Sequence, residues 1–217
     1  MIYMDPIITI IISIVVLVFS AVLHEIAHGF AAFKLGDPTA KLSGRLTLNP
    51  IPHIDPIMSV LLPALLIVSG SPILFGAAKP VPISPLYFKD GRKDMALTAL
   101  AGPLTNIGLV LIGALLFHLL PQIVFSNFIV FEFIKQIIRI NLILGIINLI
   151  PIPPVDGSRV LSAVMPKSLA YAYESIAPYG IFLLLFLLMF TNIGSFLGIF
   201  ISTSLTYLNL PLFLFGF

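Results

Sequence analysis

The 217-residue chain is far too apolar for a water-soluble domain: 59% of its residues are hydrophobic, 9% are charged, and the mean hydropathy is +1.15. Several apolar runs reach the roughly 20 residues that cross about 30 Å of hydrocarbon, which predicts a polytopic membrane protein. The net charge of +2 comes without a basic patch that carries interleaved aromatic residues, so we expect no nucleic-acid partner. The absence of cysteine excludes disulfides, thiolate ligands and a cysteine nucleophile.

The first apolar run, residues 6–34, predicts a spanning helix that carries His24, Glu25 and His28. The two histidines are one helical turn apart, so their side chains project from the same face and can bind one Zn²⁺. Glu25 lies roughly 100° around the helix from His24, beside the metal, where its carboxylate can take a proton from metal-bound water. The run therefore predicts two metal ligands and a general base.

The segment after this helix, residues 36–56, is polar and rich in turn residues. Residues 40–48 alternate apolar and polar side chains around Ser43-Gly44, which predicts a small β-hairpin. The exposed strand edges of such a hairpin would receive an extended peptide by strand addition.

His53 and Asp55 lie at the proline-rich end of this segment and have two interpretations. In the first, they form a satisfied loop turn, with an Asx-type hydrogen bond before Pro56. In the second, the loop gates the site, with His53 close to the zinc or part of an accessory metal site. The second interpretation rests on a metal-capable pair placed shortly after the catalytic helix.

Further apolar runs predict additional helices, which polar or proline-rich segments separate. These runs cover residues 57–75, 95–120, 127–150, 176–190 and 193–215. We expect an all-α polytopic membrane protein with about five to six transmembrane helices, a re-entrant segment, and short β-hairpin and loop elements on the cytoplasmic side. The core covers residues of about 6–165, and a C-terminal helical hairpin covers about 174–215.

A third metal ligand is predicted at Asp156, because a two-histidine zinc site needs another protein ligand and an open position for water. Asp156 follows the run 127–150 and a helix-breaking, proline-rich segment, and intramembrane carboxylates are costly without a partner. We expect Asp156, His24 and His28 to hold one zinc ion per chain. The alternative is that Asp156 is a turn residue at a helix end.

The order of three motifs in this chain resembles the site-2 protease family of intramembrane zinc metalloproteases, in the compact form that lacks an appended PDZ or CBS domain. The motifs are His24-Glu25-x-x-His28, Gly102-x-x-x-Asn106 and Asn148-x-x-Pro151-x-Pro153-x-x-Asp156-Gly157. The resemblance implies a single membrane-embedded peptidase domain over residues 1–217. It also implies cleavage of a peptide bond in a substrate's transmembrane segment, as in regulated intramembrane proteolysis, with Glu25 as base and later proton donor.

Asn106 and Asn148 match family asparagines near the metal. Either side-chain amide would stabilise the tetrahedral oxyanion or hold the substrate strand, and the sequence does not separate these two roles. The structural alternatives are interhelical hydrogen bonding for Asn106, with Gly102 allowing close packing, and a helix-end cap for Asn148.

The predicted metal site constrains the topology. For His24 and Asp156 to meet, the helices at 6–34 and 127–150 must enter the membrane from the same side, and the helix at 95–120 must run oppositely. Positive residues follow the first helix at once, so the positive-inside rule places its exit on the cytoplasmic side. We therefore expect a multi-pass protein of the cell membrane whose active site lies toward the cytoplasm.

The same argument bears on the run at 57–75. The loop at 76–94 falls on the cytoplasmic side, which agrees with its Lys and Arg residues. The run at 57–75 is then not a simple crossing. We predict a re-entrant or broken hairpin that turns near Pro63 or Gly70 and packs against protein or a water-filled cavity.

Two other functions are compatible with intramembrane metal ligands: a metal transporter and a non-catalytic metal-binding membrane scaffold. Transport needs several ligand sites in series, whereas these candidates converge on one. Neither function requires a carboxylate next to His24, so Glu25 favours the protease. We expect a transmembrane protein substrate and the lipid bilayer as partners, and the sequence leaves the oligomeric state open.

Overall fold

The computed structural model describes residues 6–61, 65, 68 and 78–215, and its regular secondary structure is helical. The α-helices described are α1 Pro6–Lys34, α2 Thr39–Leu42, α3 Gly91–Leu119, α4 Pro121–Ser126, α5 Phe128–Leu149, α6 Asp156–Val164, α7 Lys167–Glu174, α8 Ala177–Phe190, α9 Ile193–Tyr207 and α10 Leu212–Phe215. Shorter turns are the 3₁₀ turns Ile51–His53 and Pro85–Tyr87 and the π-helical turn Pro56–Leu61. The described residues contain no β-strand, so the all-α prediction is confirmed for them.

The helices α1, α3 and α5 pack against one another and form the centre of the fold. α1 and α3 have 29 residues each, which is about 44 Å at 1.5 Å per residue. Both are apolar and long enough to cross a membrane. A third candidate span is the bent pair formed by α7 and the first part of α8, which meet at 70°.

The prediction of about five to six transmembrane helices is not confirmed, because the described residues contain two candidate spans, or three if the bent pair is one. α5 carries the charged residues Glu132, Lys135 and Arg139, which lower its hydropathy. α8 and α9 have 14 and 15 residues, and their lengths of about 21–23 Å fall short of a hydrocarbon layer of about 30 Å.

Two of these charged residues, Glu132 and Lys135, neutralise each other within the protein. Glu132 is fully buried, and its Oε2 lies 2.6 Å from Lys135 Nζ. Gln136 Nε2 donates to Oε1 of the same carboxylate at 2.6 Å. Asn127 caps the N-terminus of the helix, because its side-chain oxygen accepts two backbone N–H groups of the first turn. Pairing and capping thus remove the unsatisfied polar groups that apolar surroundings would penalise.

The β-hairpin predicted at residues 40–48 is wrong. Asp37 Oδ1 accepts the N–H of Thr39 at 2.9 Å, an Asx turn that starts the helical turn α2 in place of a strand. Gly44 then adopts φ +65°, and the N–H of the following residue closes the turn on Ala40 O at 2.9 Å. Local turn chemistry therefore outweighs the alternation of apolar and polar residues.

Residues 78–84 form a segment without regular secondary structure, here called the strap, which lies against the loop that follows α1. The N–H of Lys79 donates to His53 O at 2.8 Å. The N–H of Ser84 donates to Asp37 Oδ2 at 2.7 Å. Both ends of the strap are therefore fixed to that loop.

Asp37 is a fully buried carboxyl group that lies outside the membrane-spanning helices. Burial by itself raises its pKa, but hydrogen bonds from the Thr39 hydroxyl and from the backbone N–H groups of Ser84 and Thr39 outweigh this effect. They hold the pKa of Asp37 below its usual range. The ionised carboxylate therefore stabilises the folded protein at neutral pH.

The predicted re-entrant turn near Pro63 or Gly70 lies outside the described residues. Of the run at 57–75, the structure describes the π-helical turn up to Leu61 and two isolated positions. The re-entrant course of this run stays a prediction.

The helices that follow α7 contribute to the core. α8 and α9 contact each other across a short connection. Ile201, Leu205 and Phe215 pack in one buried apolar cluster with Val110 of α3 and Ile138 of α5. This cluster supports the half of α3 and α5 that lies away from the buried polar residues described below.

Candidate metal centre

The structure brings together the three residues predicted to bind metal. His24 and His28 project from one face of α1, and their Nε2 atoms lie 2.9 Å apart. Asp156 begins α6, and its Oδ2 lies 3.1 Å from each Nε2. One ion can therefore contact all three atoms. These residues are the group of potential metal ligands found within the described part of the chain.

Asp156 reaches the histidines because α6 starts directly against the end of α5. A Cβ on Gly157 would lie 2.7 Å from Ile150 O, so a larger residue there would push the first turn of α6 away. At the other end of α6, Arg92 Nη2 donates to Met165 O at 2.5 Å. The close approach of the backbone at Gly157 and the hydrogen bond from Arg92 hold the two ends of the short helix that carries the carboxylate.

Gly102 of α3 lies directly against the two histidine side chains. A Cβ at this position would lie 2.6 Å from His24 Nε2 and still closer to His28 Nε2. Such contacts are too short for real atoms, so a side chain here would displace the ligand nitrogens. Gly102 thus leaves open the space at the point where the ligand atoms converge.

The hydrogen bonds on the far side of each imidazole fix which nitrogen faces the site. His28 Nδ1 lies 2.7 Å from Thr98 O, and a carbonyl oxygen only accepts, so Nδ1 carries the proton. His24 Nδ1 lies 2.6 Å from Asn106 Oδ1 and donates in the same way. Each Nε2 therefore presents a lone pair, as a metal-binding imidazole does.

The donor set fits a divalent metal ion. Two imidazole lone pairs and a carboxylate oxygen, mutually 2.9–3.1 Å apart, repel one another unless a cation lies between them. His24 and His28 are 7% and 6% exposed, so water screens this repulsion poorly. Two histidines and one carboxylate with an open fourth position are typical of catalytic zinc sites. The residues present therefore fit zinc.

Glu25, the predicted general base, is oriented by the strap. Its Oε2 accepts the backbone N–H of Val81 at 2.7 Å. Pro80 and Pro82 flank Val81 and favour the extended backbone that aims this N–H at the carboxylate. One carboxylate oxygen of Glu25 is therefore held by the main chain.

The two predicted asparagines have different surroundings. Asn106 is fully buried, and its side chain contacts His24 and Asn141. Asn148 is half-buried and donates from Nδ2 to Leu144 O at 3.0 Å, within its own helix. The oxyanion or substrate-binding role of both residues stays a prediction.

His53 and Asp55 have structural partners in their loop. His53 is 2% exposed, and its Nε2 donates to Thr47 O at 3.1 Å. Asp55 Oδ1 accepts the N–H groups of Ile57 and Met58 and so caps the π-helical turn. These contacts agree with the loop-turn interpretation. The gate or accessory-metal role stays a prediction.

Several residues of the site do not follow from motif matching. Asn141 and Ser20 contribute buried polar side chains next to Asn106, and each stands as an uncharged polar residue in an apolar run, which is a readable signal. Thr98 and Val81 contribute backbone groups, which depend on tertiary placement and leave no signal in the sequence.

The chain is similar to proteins that are named as zinc metalloproteases. The chain is 36% identical to "Putative zinc metalloprotease YwhC" of Bacillus subtilis over 188 residues, which are 84% of this chain and 82% of that protein. The chain belongs to the site-2 protease family. No family model and no solved structure matches it.

This site-2 protease family member also resembles longer mycobacterial proteins. It is 32% identical to "Putative zinc metalloprotease Rip2" of Mycobacterium tuberculosis and 30% identical to the protein of the same name in Mycolicibacterium smegmatis. Each match covers 78% of this chain but 62% or 63% of the relative, so the chain spans less than two thirds of those two proteins. The names of all three relatives support a protease role and zinc as the metal.

Proposed function

We propose that this protein is an intramembrane zinc metalloprotease that hydrolyses a peptide bond in or near a transmembrane segment of a membrane-protein substrate. The observation that carries the proposal is the convergence of three ligand atoms within 3.1 Å of one another, with Glu25 on the same helix as two of them. That helix is long and apolar enough to span a membrane. We place the protein in the cell membrane, as a multi-pass protein with its site toward the cytoplasm.

In this proposal His24, His28 and Asp156 hold one zinc ion. The chemistry that the ion supplies when bound is Lewis-acid polarisation of a carbonyl group and a lowered pKa of water. Glu25 accepts a proton from the attacking water and later delivers it to the leaving amine. Because Val81 holds Oε2 of Glu25, we assign the proton transfer to Oε1.

The substrate must change conformation before it reacts. The carbonyl groups of a transmembrane helix are hydrogen-bonded within that helix, so the segment must unwind before a carbonyl is free. We assign the contact with the unwound strand or the oxyanion to Asn148, because both ends of the Asn106 amide already bind protein groups. Asn106 then acts on the ligand His24.

Cleavage of a model transmembrane substrate by the purified, lipid-reconstituted protein tests the proposal. Glu25→Gln keeps the shape of the side chain and removes the base, so it should abolish cleavage and retain zinc. Glu174→Gln, the same change on exposed α7, is the control and should leave both unchanged. Undiminished cleavage by Glu25→Gln would overturn the assignment of the base.

The same variant separates proteolysis from transport. A transporter would move zinc into sealed vesicles, and Glu25→Gln would leave that uptake intact. A protease should show no zinc uptake above that of empty vesicles, and substrate cleavage that depends on Glu25.

A further inference from the structure

We propose that Asn141 is a positioning residue that sets the tautomer of His24 through Asn106. The inference concerns the metal site of the proposed function and deepens it by assigning a role to Asn141, which lies outside the three motifs. Asn141 lies on α5, Asn106 on α3 and His24 on α1, so the effect passes through all three central helices.

A continuous chain of hydrogen bonds connects these residues. His24 Nδ1 lies 2.6 Å from Asn106 Oδ1, and Asn106 Nδ2 lies 2.8 Å from Asn141 Oδ1. Asn141 Nδ2 contacts Ile137 O and Ser20 Oγ, each at 2.9 Å. Asn106 and Asn141 are fully buried, so bulk water does not compete for these groups.

The direction of this chain is set at its far end. Ile137 O is a backbone carbonyl and only accepts, so the Asn141 atom that faces it must be the NH₂ group. The carbonyl oxygen of the Asn141 amide then faces Asn106, so Asn106 must donate to it from its own NH₂ group. Asn106 consequently turns its oxygen toward His24, and His24 must donate from Nδ1. Its Nε2 is left with the lone pair that a metal requires.

The two histidines differ in how their tautomer is fixed. His28 donates directly to the backbone carbonyl oxygen of Thr98, which can only accept a hydrogen bond. His24 faces a side-chain amide, and an amide can turn either its oxygen or its nitrogen toward a ring. A reversed Asn106 would donate to Nδ1 and leave the proton on Nε2, which then could not bind metal. Asn141 removes this ambiguity.

The test replaces the amide of Asn141 by an apolar side chain of similar size, Asn141→Leu. The readout is the ¹⁵N NMR signal of the histidine rings in the metal-free protein, together with zinc affinity from competition with a chelating dye. We expect His24 to become a mixture of tautomers, His28 to stay unchanged, and zinc affinity to fall about 10–100-fold, as for other partners of metal ligands. Asn141→Ala removes the same amide without added branches and has the same expected outcome.

Two further variants distinguish positioning from general destabilisation. Gln136→Leu makes a matched change at a buried position of α5 outside the chain of hydrogen bonds, so His24 should keep its tautomer. Asn106→Asp presents an oxygen whichever way it turns. The double variant Asn106→Asp/Asn141→Leu should therefore recover the Nδ1–H tautomer of His24.

The inference is wrong if Asn141→Leu and Asn141→Ala both keep the Nδ1–H tautomer and a zinc affinity within about twofold of the parent protein. It is also wrong if the double variant still shows mixed tautomers, because the loss would then come from altered packing. These readouts use no substrate. A protein that binds zinc as described but cleaves nothing would refute the proposed function and leave this inference standing.

Discussion

Replacement of Gly102 by alanine tests the close approach of α3 to the metal ligands. The added Cβ would lie 2.6 Å from His24 Nε2, about 0.8 Å inside the roughly 3.4 Å of ordinary van der Waals contact. Metal–ligand distances in proteins tolerate changes of about 0.2 Å. The histidines must therefore move several times farther than a zinc site allows, and we expect zinc affinity to fall by about 100-fold, the upper end of the loss seen when groups around metal ligands are changed.

The assay is zinc content after dialysis against a graded chelator, with circular dichroism to check helicity. Gly108→Ala is the matched control, because a Cβ at that position of α3 meets nothing within 4 Å. Alanine favours a helix over glycine by about 1 kcal/mol at both positions, so both variants should stay helical. A Gly102→Ala protein that binds zinc as tightly as Gly108→Ala would refute the described geometry.

Three further changes test other parts of the structure. Asp37→Asn should lower thermal stability most at neutral pH, because the lowered pKa of Asp37 gives stability that is present above about pH 4 and lost on acidification; a difference that grows below pH 4 would contradict this sign. Asn127→Ala should cost about 1 kcal/mol of stability through loss of the α5 cap, seen as a lower unfolding temperature, and an unchanged temperature would argue against the cap. Val81→Pro removes the N–H that orients Glu25 and should slow cleavage roughly tenfold with zinc retained, whereas Val81→Ala keeps the N–H and should not; equal rates would disprove this contact.

The metal ligands were accessible to sequence reasoning because their chemistry restricts both residue type and spacing. His24 and His28 must be one turn apart to share an ion, and Asp156 stands as a carboxylate after a proline-rich break in an apolar chain. These constraints are local or depend on rare residues, so they can be recognised in the sequence without knowledge of the packing. The packing of the three residues into one group follows from α6 starting against α5, which only the structure provides.

Other features depend on contacts and turns that compete with the local pattern of apolar and polar residues, and that pattern alone does not show which of them determines the structure. Residues 40–48 alternate like a strand, yet Asp37 and Gly44 direct the chain into a helical turn. The strap contributes to the site through the backbone N–H of Val81, and every residue except proline carries such a group. Helix α5 contains buried charges that pair with each other, so its hydropathy understates how well it fits apolar surroundings.

The central claim is that two imidazoles and one distant carboxylate bind the same ion. The most direct measurement is the zinc content per chain of the purified protein and of Asp156→Ala, each after exhaustive dialysis. We predict one zinc ion per chain in the parent protein and almost none in Asp156→Ala. Equal zinc content in both proteins would show that Asp156 is no ligand and would contradict the metal centre described above.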